Sequence, residues 1–210
     1  MKIKLPKIIS VFPLNGIIYF PNTNLPLNIF EPRYLSMVDD CMKSNKYIGM
    51  IQSKKNSSDL YSVGCLGKIT ENKKTSDGRV LINLNGISRF EIKSEVDSSK
   101  DYRVFEVSYD KFEEDLNTYK GQEEEIEKIK ELSDKTRIFF KKNGLLLNWK
   151  EFEKLDQVQR INTLAMIAPI TDEEKQSILE SLNIQSKTKM LSEIIEFYLH
   201  ENSSNNLTVQ

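Results

Sequence analysis

The sequence predicts an α+β fold: an antiparallel sheet, closed or partly closed on itself, followed by a C-terminal helical bundle. Three observations carry this. Short alternating apolar runs separated by Gly- and Asn-containing turns fill residues 8–109. From residue 122 the apolar residues recur instead at three- and four-residue spacing. Between the two regimes, residues 110–121 are charged, poor in apolar side chains and end in Gly121, the composition of a linker. The expected organisation is a β-rich lobe over residues 1–115, a helical lobe over 118–201 and a flexible tail over 202–210.

In order along the chain, Ile8–Leu14 is an apolar strand and Asn15-Gly16 a tight turn, after which residues 17–20 continue the strand pattern. Leu25, Leu27 and Ile29 alternate with polar residues, and Pro26 marks an edge or bulge. Leu35, Val38, Cys41 and Met42 then recur at helical spacing behind Pro32, which a first helical turn accepts. Tyr47–Gln52 is a strand and residues 53–59 a polar loop. Val63, Cys65, Gly67 and Ile69 share one strand face. Ser76-Asp77-Gly78 is a turn, Val80, Ile82 and Leu84 alternate, and Asn85-Gly86 predicts a second hairpin turn with Gly86 at positive φ. Residues 87–96 run back, and 102–109 form the last strand. In the second half, residues 122–142 carry an apolar stripe of Ile126, Ile129, Leu132, Thr136, Phe139 and Phe140, stopped by Asn143-Gly144. A short turn or helix at Trp149–Phe152 and a helix over 156–168 follow. Thr171 with Glu174 forms a capping box for a helix reaching Leu182. A final helix covers 186–201.

Thirty Lys and Arg oppose 31 Asp and Glu among 210 residues. Residues 1–115 hold 17 basic and 15 acidic side chains, and the rest hold 13 and 16. Neither half has the positive excess that neutralises a phosphate backbone, so a dedicated nucleic-acid binder is disfavoured. One histidine, His200, excludes multi-His metal sites, and two separated cysteines, Cys41 and Cys65, suit a reducing compartment. The uncharged stretch 8–30 contains three prolines and four asparagines, which fit neither a spanning helix nor a signal peptide. A cytoplasmic location without a membrane partner is expected.

No residue pattern supports catalysis. Gly64-Cys65-Leu66-Gly67-Lys68 has too few residues between its glycines for a phosphate loop and reads as a strand whose glycines permit close packing. Cys65 has no histidine nearby in sequence to activate it. Asp39-Asp40 and Glu123-Glu124-Glu125 are adjacent on helices, so their carboxylates diverge. No cofactor or metal is expected. Glu31-Pro32-Arg33-Tyr34 concentrates charge, rigidity and an aromatic ring at a helix start, either as a cap with Arg33 tied to an acid or as part of a recognition surface.

Taken in order, three sets of residues give the chain a family resemblance. They are Ile9-Ser10-Val11-Phe12-Pro13-Leu14, Ile18-Tyr19-Phe20-Pro21 and the run from Leu25 through Tyr34. Val63 to Ile69, Asp77-Gly78-Arg79 and Gly86-Ile87-Ser88-Arg89-Phe90 extend the series, and residues 171–176 continue it weakly. The chain resembles the N-terminal substrate-binding domain of Lon proteases, most closely the stand-alone bacterial Lon-domain proteins. The resemblance implies a PUA-like β-barrel lobe with a helical bundle, and a module that recruits substrate proteins to an ATPase ring and a peptidase. Neither of those is present in these 210 residues, so no catalytic residue is inherited. Asn22 stands where relatives often carry Gly, and Asn tolerates left-handed backbone.

The expected function is a non-catalytic module binding unfolded or tagged protein segments, with a protease or other quality-control protein as a further partner. The alternative is a PUA-like RNA-binding module. The expected peptide-binding residues are Leu25, Leu27 and Ile29 on an edge that a peptide joins as an added strand, with Glu31, Arg33 and Tyr34 at its end.

Overall fold

A computed structural model describes residues 4–205 apart from 56, 118 and 120, with side chains described to residue 201. The chain divides into two compact units, residues 1–117 and 118–210.

The first unit is a six-stranded sheet: β1 (Ile8–Leu14), β2 (Asn24–Ile29), β3 (Tyr47–Gln52), β4 (Val63–Lys74), β5 (Val80–Glu95) and β6 (Val104–Ser108). β5 pairs with β4 along its length, β4 with β3, β3 with β1, and β1 with β6. β6 returns to the second half of β5, through Glu91↔Ser108 and Glu95↔Phe105, so five strands close a ring. β2 lies outside that ring on the first half of β5. Ile9, Val11, Ile51, Leu66, Phe90, Phe105 and Val107 form a core cluster of this unit.

The sheet is mixed where an antiparallel one was expected, because β1 and β3 run parallel. Parallel neighbours need a crossover. Helix α1 (Pro32–Lys43), between β2 and β3 in sequence, lies on that connection. Its buried residues Tyr34, Met37, Val38 and Cys41 fall at i, i+3, i+4 and i+7. The core face is thus set around Tyr34 and Met37, with Leu35 and Met42 only half-buried on its flank.

Three local expectations are corrected. Residues 17–20 form no strand; Ile18, Tyr19 and Phe20 are buried instead, and the Tyr19 ring lies where a Cβ on Gly67 would meet it at 3.0 Å. Asn85-Gly86 makes no turn, because β5 runs through it unbroken with Gly86 opposite Gly67. A bulge between Leu66 and Gly67 takes up the local irregularity, as closing a ring requires. Residues 110–116 are not a linker. They form a 3-10 helix with Phe112 buried, and Asp115 is bonded to the buried Arg89 of β5. Charge suggested solvent there, but one of those charges has a buried partner.

The second unit contains α2 (Glu123–Lys142), α3 (Trp149–Phe152), α4 (Gln157–Ile167), α5 (Asp172–Glu180) and α6 (Ile184–Asn205). Gln122, Asp156 and Thr171 close capping boxes with Glu125, Gln159 and Glu174. Ile129, Leu132, Thr136, Phe139 and Phe140 of α2 are buried, whereas Ile126, expected on the same stripe, is exposed. α5 stops two residues before Leu182, and α6 starts before Ser186. The tail expected from residue 202 is helical through Asn205, and residues 206–210 lie outside the described residues. Among the described residues no helix is long and apolar enough to cross a membrane.

Candidate functional site

The site is built around β2. The approach to it is fixed by a backbone clasp: Asn22 N–H donates to Gly86 O at 2.9 Å, and Gly86 N–H donates to Thr23 O at 2.9 Å. Asn22 adopts φ +58°, the left-handed conformation that Asn tolerates. The buried Thr23 hydroxyl donates to Phe20 O at 2.6 Å. The clasp delivers the chain into β2 in register with β5, from Asn24↔Asn85 to Ile29↔Val80.

Strand alternation then sorts the side chains. Leu25 and Ile29 are buried, Leu27 is half-buried, and Asn24, Pro26 and Asn28 are exposed. On the outer face, Pro26 and Asn28 stand opposite Asn83 and Leu81 of β5, and these in turn opposite Glu71 and Lys73 of β4. With Leu27 and Ile82 these residues line a shallow groove of about 380 Å³. Phe30 continues the outward series and is 65% exposed, and Leu81 is 42% exposed. Among the described residues β2 pairs on one side only, so its other edge keeps unspent backbone hydrogen-bonding groups.

At the start of α1, Arg33 Nε and Nη2 donate to Glu31 Oε2 at 3.0 and 2.8 Å. The pair is exposed, and the Glu31 carboxylate makes no cap bond to the helix. The Arg33 guanidinium lies 4.5 Å from the Tyr34 ring centroid, and that ring packs at 4.1 Å against Phe12. Burial raises the Tyr34 pKa, with the Arg33 charge acting in the opposite direction.

Of the six residues expected to bind peptide, Leu25, Ile29 and Tyr34 have buried side chains, so Leu25 and Ile29 offer only backbone at the free edge of β2. Leu27 reaches the groove, and Glu31 and Arg33 remain at the surface. Phe30 and Leu81 were missed, although both were available from alternation: 26, 28 and 30 must face away from 25, 27 and 29, and Leu81 away from Val80 and Ile82.

The other polar clusters are engaged elsewhere. Asp39 pairs with Lys43, while Asp40 accepts from Lys100 Nζ and Tyr102 Oη, both at 2.7 Å. The Lys100 and Tyr102 bonds lower the Asp40 pKa. Glu124 pairs with Lys128, and Glu125 accepts from Tyr119 and Gln185, so these carboxylates diverge. Cys41 and Cys65 are buried and not in a disulfide, and burial raises the Cys41 pKa. A Cβ on Gly64 would stand 2.4 Å from Met50 O, so the glycines of β4 serve close packing. Among the described residues no group of three or more His, Cys, Asp or Glu could hold a metal.

The fold is that of Lon N-terminal domains. The N-terminal domain of a Mycobacterium avium complex Lon protease matches with a TM-score of 0.64 and 15% identity, over 90% of this chain and 98% of that one. A Lon N-terminal domain protein from Xanthomonas campestris matches with a TM-score of 0.64 and 19% identity, over 88% and 97%. The sequence goes further. Residues 8–196 match the family described as the ATP-dependent protease La (LON) substrate-binding domain, and the chain belongs to that family. Relatives include the Lon proteases of Buchnera aphidicola subsp. Acyrthosiphon pisum, 27% identical over 90% of this chain, and of Malacoplasma penetrans, 27% identical over 91%. The chain spans about a quarter of the length of these relatives.

Proposed function

We propose that the protein is a non-catalytic binding module that captures unfolded protein segments along the free edge of β2. Membership of a substrate-binding domain family supports protein substrates. The observation that carries the location is the unpaired β2 edge, flanked on its outer face by exposed Phe30 and Leu81. An extended segment added there gains main-chain hydrogen bonds, which are indifferent to its sequence, and apolar contacts at alternate residues. Arg33 and Glu31 present one cation and one anion at the end of the same strand. A protease or other quality-control protein is the proposed further partner. RNA is the less supported ligand, because the groove carries a single lysine, Lys73, beside Glu71.

The test is capture of a permanently unfolded protein by the full chain. In Phe30→Ser/Leu81→Ser, loss of two exposed apolar contacts is expected to weaken capture about tenfold. Arg33→Ala is expected to weaken it severalfold while changing stability by under about 1 kcal/mol, since the Glu31 pair is exposed. If the wild type captures and the double variant matches it, the surface is misplaced. If the wild type captures nothing but binds RNA with a steep salt slope, the protein-binding reading fails.

A further inference from the structure

The loop between α2 and α3 reads Lys141-Lys142-Asn143-Gly144-Leu145-Leu146-Leu147-Asn148-Trp149-Lys150 and has no part in the reading above. It is firmly anchored. α2 ends in a Schellman motif: Gly144 N–H donates to Lys141 O at 3.2 Å, Leu145 N–H donates to Phe140 O at 2.9 Å, and Gly144 has φ +68°. At the other end, Asn148 Oδ1 caps α3 by accepting from Glu151 N–H at 3.3 Å. Between these anchors Leu146 is fully exposed, Leu145 is 39% exposed, and Leu147 is half-buried. Ile138, about one turn earlier on α2, is also exposed.

An apolar tip held in water by two helix caps calls for an occupant, and the charge around it says which. Lys141, Lys142 and Lys150 are exposed and take part in no ion pair among the described residues. The neighbouring Arg137 and Lys154 are satisfied by Glu153 and Glu151. Residues 137–154 hold five basic and two acidic side chains, within a chain of net charge −1. Trp149, the sole tryptophan, packs against Phe140 and Phe152 with Arg137 over its ring at 4.6 Å. Exposed leucines between two helix caps, exposed lysines on both sides of them in sequence and a half-buried indole next to the cap form a side-chain pattern suited to an anionic lipid interface. A fluid surface accepts a protruding tip, whereas a folded protein would need a matching cavity.

We propose that this loop is a peripheral contact for an anionic lipid surface. Leu145 and Leu146 enter the headgroup boundary, and Lys141, Lys142 and Lys150 meet the anionic headgroups. That no helix among the described residues is long and apolar enough to cross a membrane is no obstacle, since such a contact lies on the bilayer and does not cross it.

The full chain is mixed at low salt with vesicles of phosphatidylcholine, or of phosphatidylcholine and phosphatidylglycerol in equal parts. Co-sedimentation is expected with the anionic vesicles alone, falling at high salt as screening sets in. Brominated lipid in those vesicles is expected to quench Trp149. Leu146→Asp, at a fully exposed position, is expected to weaken binding about tenfold or more, and Lys141→Glu/Lys142→Glu to weaken it at least as much. The proposal is overturned by no binding to anionic vesicles, by equal binding to neutral ones, or by charge-dependent binding that Leu146→Asp leaves unchanged. It is also overturned if wild type ignores vesicles and Leu146→Asp instead loses capture of unfolded protein.

Discussion

Replacing Arg89 with alanine is expected to destabilise the β-rich unit by about 3–5 kcal/mol, the cost of leaving one half of a buried ion pair uncompensated. Arg89 lies on β5 and is only 1% exposed. Its backbone N–H and Nε both donate to Asp115 Oδ2 at 2.9 Å, and Nη2 donates to Oδ1 at 2.8 Å. Its guanidinium also lies 4.2 Å from the Phe112 ring centroid. Three charge-assisted bonds and a ring stack thus tie the 3-10 helix Asp110–Leu116 to the ring of strands. Asp115→Ala should cost a similar amount, because it strands the guanidinium. Arg89→Met/Asp115→Leu should recover much of the loss, since a buried pair contributes little over well-packed apolar side chains. Denaturation of a fragment covering residues 1–117 is the measurement, followed by far-UV circular dichroism because Trp149 lies in the other unit. A fragment ending at residue 109 lacks Phe112 and Asp115 and should melt as the Arg89 variant does. Asp115→Ala at wild-type stability would end this account.

That pair also marks where the sequence stops being legible. Elements defined by neighbours in the chain could be read directly. The Thr171 capping box needs only Thr and Glu three apart, the α2 stop only Asn143-Gly144, and β1 and β3 only short apolar runs. A closed or partly closed sheet was expected, but the pairing that closes it could not be read, because it depends on β5 serving two partners on one side, β2 first and β6 later. The sequence of β5 contains a turn dipeptide, Asn85-Gly86, that the ladder overrides. Residues 110–121 misled for the same reason: Asp115 looks like a solvent charge until Arg89, 26 residues earlier, is placed beside it. At the candidate site, the uncharged stretch ending at Phe30 and the edge role of Pro26 were visible. Which side chains are exposed followed from alternation: the expected set on β2 was Leu25, Leu27 and Ile29, of which the structure buries Leu25 and Ile29 and half-buries Leu27, with Pro26, Asn28 and Phe30 exposed.

Gly86→Ala is expected to destabilise the same unit by about 3–5 kcal/mol, and Gly86→Val by more, for a reason unrelated to backbone conformation. Gly86 lies within β5 and not in the left-handed region where glycine is favoured. What excludes a side chain is the clasp. A Cβ here would stand 2.3 Å from Phe20 O, 3.0 Å from Pro21 Cα and 3.2 Å from Asn22 N, all of them backbone atoms. A flexible side chain could swing aside, but this segment is held by the two hydrogen bonds joining Asn22 and Thr23 to Gly86 itself. Making room therefore breaks both, at about 1 kcal/mol each, and loosens the packing of Tyr19 and Phe20 behind them, which adds an overpacking cost of about 1–3 kcal/mol. Gly78 is the contrast: it has φ +87° and no atom within 4 Å of its would-be Cβ. Gly78→Ala should cost only the left-handed penalty of about 1–2 kcal/mol. The ranking Gly86 above Gly78 in a denaturant series would establish close approach as the cause, and the reverse ranking would refute it. Because the clasp feeds directly into β2, Gly86→Ala should also impair client capture by protein that remains folded, whereas Gly78→Ala should leave capture intact.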